Sequence, residues 1–322
     1  MDKPKVSILI PTYNQPNLVG LAVQSALMQD YMPLEVVVCD DSRDGQTKAL
    51  LAPFHTDKRF CYIQNPERLG RVGNYRQALY RHATGVWALM LDGDDYLTDP
   101  CFISEALKGI EEHQDIVFAQ GGGEIRQQTE DGRSIVLSVR IPVVKKGATT
   151  VSGRDYMKMF PVKRYFLHAT TLFHRPTAMD MDFYRKNLLS SDLESFMRLA
   201  LCGNVLLIPR PVGVWLQHND NAGQTASMEA LIRNSCWADS VAEYAYTNNL
   251  LTQRKAKHWA GRVRNREIIG VLMREIKRFK HQNKSRLEIL KFTMVFLRRF
   301  PCLALHPVMV KKLTCFFLFS AI

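Results

Sequence analysis

The stretch Val6–Gln15, VSILIPTYNQ, decides the fold class of this chain of 322 residues. It begins with an apolar run of strand length, and Pro16 then suits the first turn of a helix that we predict to reach about Met28. A second apolar, β-branched run, LEVVVC, follows at Leu34–Cys39. Strands that alternate with helices predict βαβ units and therefore a parallel sheet.

The same alternation continues along the chain, with strands predicted at Arg59–Gln64 and Trp87–Asp92 and a helix at about 71–83. Acidic clusters follow two of the strands, DDS at residues 40–42 and DGDD at residues 92–95. Because the carboxyl ends of parallel strands meet at one edge, where open α/β sheets bind ligands, we predict that both clusters lie there. Read alone, DGDD is as typical of a solvated turn as of a metal site, but two clusters on one edge favour a nucleotide-sized site.

Together these motifs resemble glycosyltransferase family two in their order and spacing. The stretches that carry the resemblance are VSILIPTYNQ, VVVCDDS, NPERLGRVGNYRQA and LMLDGDD, within residues 5–100, and a further segment at 188–223. The resemblance implies the GT-A fold, an α/β fold with a mostly parallel central sheet flanked by helices. It also implies an inverting hexosyl- or N-acetylhexosaminyltransferase of the bacterial surface-polysaccharide type, with a nucleotide-sugar donor, most often a UDP-sugar, and a lipid-linked or saccharide acceptor.

The resemblance assigns several residues to the nucleotide. These residues are Pro11, Thr12, Tyr13, Asp41, Arg71 and Asp92. The chemistry suits them, since a tyrosine ring can lie against uracil, a carboxylate accepts hydrogen bonds from the base or the ribose, and a guanidinium matches phosphate geometry. For Arg71 a solvated surface position is the alternative.

The resemblance also implies a divalent metal, Mn²⁺ or Mg²⁺, on the donor diphosphate. Its predicted ligands are Asp92, Asp94, Asp95 and His218. His218 belongs to the segment VWLQHNDN, in which Leu216 stands where the family has an arginine, so that one cationic contact is missing. A surface histidine is the alternative interpretation of His218.

Asp192 is the predicted general base. Relatives carry a Glu-Asp pair here, whereas this chain has Ser191 and Asp192, so the aspartate is kept and the glutamate is not. The sequence SSD before FMRLAL is also typical of a helix N-cap, and the two roles are compatible. One carboxylate that deprotonates the acceptor hydroxyl suffices for a single in-line displacement, which inverts the anomeric configuration.

Length and composition suit one large domain with an extension. Residues 1–225 are predicted to form the GT-A catalytic domain, with a nucleotide-binding half at about 1–115 and an acceptor half at about 116–225 that carries an insertion or hairpin at 120–150. Residues 226–322 are predicted to form a helical C-terminal extension. The seven cysteines show no C-x-x-C pattern, so we expect neither a structural zinc nor a disulfide framework, and the N-terminus lacks a signal-peptide pattern.

The tail, residues 251–322, is strongly basic. It holds 17 Lys and Arg against 3 Asp and Glu, a net charge of +14, whereas the whole chain carries +12. The basic residues alternate with large apolar ones, as in RLEILKFTMVFLRRF, without the ~20 apolar residues of a spanning helix. This pattern predicts helices that lie on an anionic membrane surface from about residue 284, and hence a cytoplasmic protein, peripheral on the inner face of the plasma membrane. A helix packed on the domain is the alternative, and no motif supports a nucleic-acid partner.

Two other functional classes compete with a glycosyltransferase. A nucleotidyltransferase that makes nucleotide sugars would begin with a Gly-rich, basic phosphate loop after the first strand, and ILIPTYNQ contains none. A catalytically silent nucleotide-sugar-binding scaffold would not require the aspartates, although Ser191 and Leu216 keep that class open.

Overall fold

The computed structural model describes residues 3–128, 134–139, 148–160, 166–218 and 221–319. The strands in these ranges are β1 (Val6–Thr12), β2 (Leu34–Asp40), β3 (Phe60–Gln64), β4 (Trp87–Met90), β5 (Tyr96–Leu97), β6 (Ile116–Gln128), β7 (Ser134–Val139), β8 (Thr149–Ser152), β9 (Thr171–His174) and β10 (Asn204–Gln217). The α-helices are α1 (Pro16–Leu27), α2 (Gln46–Leu51), α3 (Gly70–Gln77), α4 (Phe102–Glu111), α5 (Gly153–Met159), α6 (Arg175–Asp180), α7 (Ser191–Ala200), α8 (Ala222–Thr225), α9 (Met228–Asn234), α10 (Trp237–Thr247), α11 (Gln253–His281), α12 (Arg286–Arg299) and α13 (Pro307–Phe319).

The four strands predicted from apolar runs all form, and each lies within two residues of its predicted bounds. The helix predicted at about 71–83 is α3, which continues as a π-helical turn over Ala78–His82. Strands β1 to β4 pair in parallel in the order β3-β2-β1-β4, as the βαβ pattern predicts. Beyond β4 the sheet is mixed, because β9 pairs antiparallel with both β4 and β6 before β6 pairs in parallel with β10.

The sheet separates two hydrophobic cores. Successive residues of β1 point to opposite faces, so that Ile8 and Ile10 join one core while Leu9 joins the other. The first core is covered by α1 and α4, and the second by α3, α7 and α10. Because β1, β2 and β4 are buried between these layers, their carboxyl ends are fixed relative to one another.

The second core continues past the predicted domain boundary at residue 225. Trp237 on α10 is fully buried in it, and Trp259 on α11 donates its indole N–H to the carbonyl of Met157 at 2.7 Å. The first half of α11 therefore packs with the sheet. The division into 1–225 and 226–322 stays a prediction, but the hydrophobic core does not end at that point of the chain.

The second half of α11 builds a separate hydrophobic cluster with α12 and α13. Its buried members are Ile268, Ile269, Leu272, Ile276, Ile289, Phe296, Leu303 and Met309. The tail is thus helical, as predicted, with its own small core. Within the described ranges, no helix combines the length and the apolar content needed to cross a bilayer.

The hairpin predicted in residues 120–150 is the antiparallel pair β6 and β7. Residues 129–133 and 140–147 of this segment lie outside the described residues. Ile135 and Leu137 on β7 are about half exposed, so the hairpin extends beyond the packed sheet.

Candidate active site

The carboxyl ends of β1, β2 and β4 meet at one edge of the sheet. The amide of Asp41 donates to the carbonyl of Thr12 at 3.0 Å, and the amide of Gly93 donates to the carbonyl of Pro11 at 3.1 Å. A Cβ on residue 93 would lie 2.8 Å from the Thr12 hydroxyl oxygen, so only glycine allows this approach. These contacts bring the two predicted acidic clusters together at this edge.

Asp41 is buried and held by a loop that follows β3. Its Oδ1 accepts hydrogen bonds from the Asn65 side-chain amide at 2.7 Å and from the Leu69 main-chain amide at 3.3 Å. Its Oδ2 makes no hydrogen bond with a described residue. Asn65 is itself buried, and its Oδ1 is without a partner among those residues. The pocket therefore presents one carboxylate oxygen and one amide oxygen, which are acceptors for N–H or hydroxyl groups.

Tyr13 lies beside this pocket and is 39% exposed. The guanidinium of Arg68 stacks over its ring, 4.0 Å from the ring centroid. Asp40 by contrast is directed into the protein, where it accepts hydrogen bonds from the Ser42 amide and the Tyr62 hydroxyl, both at 2.8 Å. Of the two aspartates that follow β2, Asp41 is the one available to a ligand.

Asp92 is surrounded by aromatic and cationic groups. The Tyr75 hydroxyl donates to its Oδ1 at 2.7 Å, and His168 Nδ1 lies 3.8 Å from its Oδ2. Burial disfavours the charged form, but His168, Tyr75 and the positive charge of Arg71 outweigh burial and lower the pKa of Asp92. His168 is held in turn by the Tyr184 hydroxyl, 2.7 Å from its Nε2. Asp92 is therefore a half-buried carboxylate whose charged form is stabilised by its neighbours.

Asp94 contacts His218, the histidine predicted to share the metal with it. Its Oδ2 lies 3.0 Å from His218 Nε2 and accepts a hydrogen bond from the Asn221 side-chain amide, also at 3.0 Å. Burial and the charge of Asp92 raise the pKa of Asp94. Asp95 is directed toward β10, where its Oδ1 accepts the Leu216 amide at 3.0 Å, and burial with the charges of Asp94 and Asp92 raises its pKa well above the ordinary value.

These residues fit a divalent cation that shares its coordination with a diphosphate. Burial and the charges of neighbouring carboxylates raise the pKa values of Asp94 and Asp95, and a bound cation would oppose both effects. Asp94 and His218 offer an oxygen and a nitrogen, a donor set that suits Mn²⁺ better than Mg²⁺. Within the described residues, no group of three or more His, Cys, Asp or Glu side chains could hold a metal ion. The remaining ligands would therefore have to come from the substrate.

Asp192 is the second residue of α7 and lies in its first turn. The N-cap position belongs to Ser190, whose side chain forms no capping hydrogen bond, so the interpretation of Asp192 as an N-cap is wrong. The Asp192 carboxylate makes no hydrogen bond with a described residue. Asp192 and Asp92 both interact electrostatically with Arg71 and Tyr75.

Arg71 interacts electrostatically with both carboxylates, Asp192 and Asp92. Its guanidinium donates to the carbonyls of Leu188 and Leu189, at 2.7 and 2.8 Å, and to the Tyr75 hydroxyl at 3.3 Å. In this arrangement Arg71 anchors the segment that leads into α7. Its predicted contact with the diphosphate stays a prediction.

Several residues of the site were not predicted from the sequence. They are Asn65, Tyr75, His168, Tyr184 and Asn221. Two of them carried a usable signal, since Asn65 directly follows a predicted strand and Asn221 lies three residues after His218 in the sequence. The others reach the site through long-range packing.

A parallel sheet that ends in buried carboxylates, continued by an antiparallel strand and a mixed half, defines a glycosyltransferase of the GT-A class. The sequence profile described as glycosyl transferase family 2 matches residues 7–168, which is half of the chain, and the chain belongs to this family. The predicted family, fold and enzyme class are confirmed.

Relatives with named activities support the same class. A chondroitin synthase of Pasteurella multocida is 28% identical over 265 residues, which cover 78% of this chain and 25% of that protein. A UDP-Glc:alpha-D-GlcNAc-diphosphoundecaprenol beta-1,3-glucosyltransferase of Escherichia coli is 34% identical over 95 residues, 30% of this chain and 37% of that protein. The chain thus matches only about a quarter to a third of the length of these relatives.

Solved structures share the fold. TarS 1-349 from Staphylococcus aureus superposes with a TM-score of 0.60 at 21% identity, over 81% of this chain and 71% of that one. The mannosyltransferase PcManGT from Pyrobaculum calidifontis, solved with GDP-Man and Mn²⁺, gives a TM-score of 0.55 at 18% identity, over 97% and 84% of the two chains.

Proposed function

We propose that this protein is an inverting glycosyltransferase that moves a sugar from a UDP-sugar to a lipid-linked or saccharide acceptor in cell-surface polysaccharide synthesis. The observation that carries the proposal is a chain of hydrogen bonds from Asp92 through Tyr75 and Arg71 to the carbonyls of Leu188 and Leu189, which holds the segment before Asp192 at the sheet edge. The Asp192 carboxylate itself makes no hydrogen bond with a described residue. One edge of the sheet would hold the nucleotide, and the first turn of α7 would meet the acceptor.

Asp192 would act as the general base. An acceptor hydroxyl has a high pKa and must lose its proton as it attacks the anomeric carbon. Because Asp192 has no competing hydrogen bond among the described residues, its oxygens are available to that hydroxyl. The attack forms the new glycosidic bond while the bond to the diphosphate breaks on the opposite face, which inverts the anomeric centre.

Asp94 and His218 would hold the divalent cation, with Asp92 beside them and Asp95 fixing the motif to β10. When bound, the cation would neutralise the charge that develops on the leaving diphosphate. The donor set of one carboxylate and one imidazole favours Mn²⁺, the ion in the structure of the mannosyltransferase PcManGT.

Tyr13 and Asp41 would bind the nucleoside. The ring of Tyr13 offers a face for uracil, and the free oxygens of Asp41 and Asn65 would accept hydrogen bonds from the base N–H or the ribose hydroxyls. A structure of TarS contains UDP-GlcNAc, which supports a UDP-sugar as the donor.

The tail would bring the enzyme to an anionic membrane surface on the cytoplasmic side. On α12, Leu287, Leu290, Met294 and Val295 are between 42% and 63% exposed, and Lys291 projects from the same face. The opposite face of the helix packs into the hydrophobic cluster of the tail through Ile289 and Phe296. One side of α12 would therefore contact the membrane surface, while the other side packs against the protein.

The alternatives fit these residues less well. A nucleotidyltransferase would need a phosphate-binding loop after β1, where this chain has the Tyr13 and Arg68 stack. A silent scaffold would gain nothing from an unpartnered carboxylate at Asp192.

The test is transfer from a panel of nucleotide sugars with Asp192→Asn as the variant. We expect turnover to fall by about 10²-fold or more, the usual scale of general-base loss, with UDP affinity nearly unchanged. Asp180→Asn, at an exposed position on α6, is the matched control and should keep full turnover. A collapse of donor affinity in Asp192→Asn would assign Asp192 to binding instead, and wild-type protein that turns over no nucleotide sugar would contradict the proposal as a whole.

A further inference from the structure

A cavity of about 670 Å³ lies between α9, α11 and the segment that joins α12 to α13. We call it the tail cavity. Its walls include Ile232, Arg233, Cys236, Arg264, Cys302 and Leu303. The volume falls within the ~300–1,000 Å³ of typical ligand pockets, and neither the nucleotide nor the cation proposed above uses this space.

The tail cavity adjoins the proposed catalytic base. Leu188 lines it, and the Leu188 carbonyl accepts the guanidinium of Arg71. Asn234, which follows Arg233, exchanges two hydrogen bonds with Ser190, one to the Ser190 amide at 3.0 Å and one to its hydroxyl at 2.8 Å. The wall of the cavity is thus tied directly to the residues that precede Asp192.

The lining of the tail cavity is amphipathic. Leu188, Ile232, Ile268, Phe300 and Leu303 make it mainly apolar. Two guanidinium groups reach it as well. That of Arg264 is paired with Asp239 at 2.6 Å, whereas that of Arg233 makes no hydrogen bond or ion pair with a described residue. Glu229 attracts the charge of Arg233 but is itself ion-paired with Arg299. A guanidinium that makes no hydrogen bond with a described residue and lies beside an apolar groove matches a phosphate attached to a hydrocarbon chain.

The tail cavity is also continuous with the exposed apolar residues of the tail. The segment Phe300–Leu303 forms one wall and connects α12 to α13. Beyond it lie Leu305, which is 89% exposed, and Val308 and Val310, which are each nearly half exposed. A hydrocarbon chain that left the cavity along this segment would contact these apolar side chains and expose less of its surface to water.

We infer that the tail cavity binds the prenyl diphosphate part of a lipid-linked saccharide acceptor. The guanidinium of Arg233 contacts the diphosphate, the apolar walls cover the first isoprene units, and the saccharide is directed past Ser190 toward Asp192. The inference rests on the proposed function, and it selects the lipid-linked class among the acceptors that the proposed function allows.

Two cysteines in the walls report on occupancy. Cys236 and Cys302 are exposed and line the cavity, whereas Cys61 is exposed on β3 in the nucleotide-binding half. The rate of maleimide alkylation of each thiol would be measured by mass spectrometry, with UDP and Mn²⁺ present in excess to occupy the nucleotide site. The probe is geranylgeranyl diphosphate below its micelle concentration, and geranylgeraniol and inorganic pyrophosphate are the comparison compounds.

We expect geranylgeranyl diphosphate to slow alkylation of Cys236 and Cys302 at least tenfold and to leave Cys61 unchanged. Arg233→Glu should weaken this protection at least tenfold, Arg233→Lys should keep most of it, and UDP affinity should stay the same in both. Arg262→Glu is the matched control, since Arg262 is exposed on α11 outside the cavity and carries the same charge reversal.

Two results would overturn the inference. One is equal protection by geranylgeraniol, which has no phosphate, and the other is protection that Arg233→Glu and Arg262→Glu weaken to the same extent. Activity separates this inference from the proposed function. Transfer to a saccharide glycoside without protection by the prenyl diphosphate refutes the cavity alone, whereas absence of any transfer from nucleotide sugars refutes the proposed function.

Discussion

The sheet edge and the tail depart from the usual distribution of polar and apolar groups in opposite directions. At the edge, Asp41 and Asp95 are buried, and Asp94 is nearly so. In the tail, apolar side chains such as Val295 and Leu305 are exposed. Burying a charge and exposing a large apolar surface are both unfavourable unless a partner compensates. The proposed partners would compensate each region, a cation with its nucleotide at the edge and a lipid at the tail.

The two regions also differ in how their outward groups are held. The edge carboxylates are fixed by specific hydrogen bonds, such as the one from Tyr75 to Asp92. The exposed apolar side chains of α12, such as Val295, make no such polar contacts, and the opposite face of that helix is packed. A nucleotide site requires fixed geometry, whereas contact with a fluid lipid surface does not. A single substitution at the edge should therefore abolish function, whereas each single substitution in the tail should weaken it only partially.

The largest effect should follow from removing the carboxylate that meets His218. We expect Asp94→Ala, or wild type in EDTA, to lose transfer by about 10³-fold or more, because the diphosphate loses several kcal/mol of charge stabilisation. The measurement is turnover with a UDP-sugar, at saturating Mn²⁺ for Asp94→Ala and without added metal for wild type in EDTA, with circular dichroism to verify folding. Full activity under either condition would show that the edge works without a cation.

The strands and the aspartates at their carboxyl ends could be predicted from the sequence, but the residues that surround those aspartates could not. Strand β1 was predicted from its apolar run, and Asp41 and Asp94 follow from the rule for strand ends. His168 could not be predicted in this way, because it reaches Asp92 only through the antiparallel strand β9, which inserts between β4 and β6. Arg71 likewise binds carbonyls 117 and 118 residues further along the chain. Local patterns encode strands and their ends, but contacts of that range depend on how the layers pack.

A smaller effect at the same edge concerns the nucleoside. We expect Asp41→Ala to weaken UDP binding by about 10- to 100-fold, since hydrogen bonds to a charged group contribute ~1.5–3 kcal/mol. Calorimetry should also show that wild type binds UDP more tightly than GDP or CDP. Asp44→Ala, at an exposed position just after β2, is the control. Equal binding of all three nucleotides would mean that this pocket does not distinguish the base.

A single substitution in the tail should have a partial effect on membrane binding. We expect Leu290→Asp on α12 to weaken binding to vesicles that contain anionic lipid by about tenfold, because it removes an apolar contact and adds a repelled charge. Flotation with anionic and with neutral vesicles, at low and high salt, measures this. Leu21→Asp is the matched control, since Leu21 is 46% exposed on α1, far from the tail in sequence. If both variants bind like wild type, the exposed face of α12 does not contact lipid.

The smallest expected effect concerns the N-cap of α12. A substitution there tests whether the cap stabilises this helix or whether packing alone does so. Ser285 and Glu288 form a capping box, in which the Ser285 hydroxyl accepts the Glu288 amide at 3.2 Å and the Glu288 carboxylate accepts the Ser285 amide at 2.8 Å. Hydrogen bonds from the Ser285 amide and hydroxyl, with one from Lys284, lower the pKa of Glu288 to about 2.

We expect Ser285→Ala to destabilise α12 by about 1 kcal/mol, the usual cost of losing an N-cap, and Ser285→Thr to lose less. Hydrogen exchange of the α12 amides should be faster in the alanine variant, while UDP affinity stays unchanged because the edge does not depend on this helix. Since the pKa of Glu288 is lowered in the folded state, its contribution is present above the ordinary value near 4.5 and is lost as the pH falls toward about 2. The difference in α12 stability between wild type and Ser285→Ala should therefore narrow as the pH falls from about 4.5 to about 2. Identical exchange in all three proteins would show that the packed face, through Ile289 and Phe296, holds α12 without its cap.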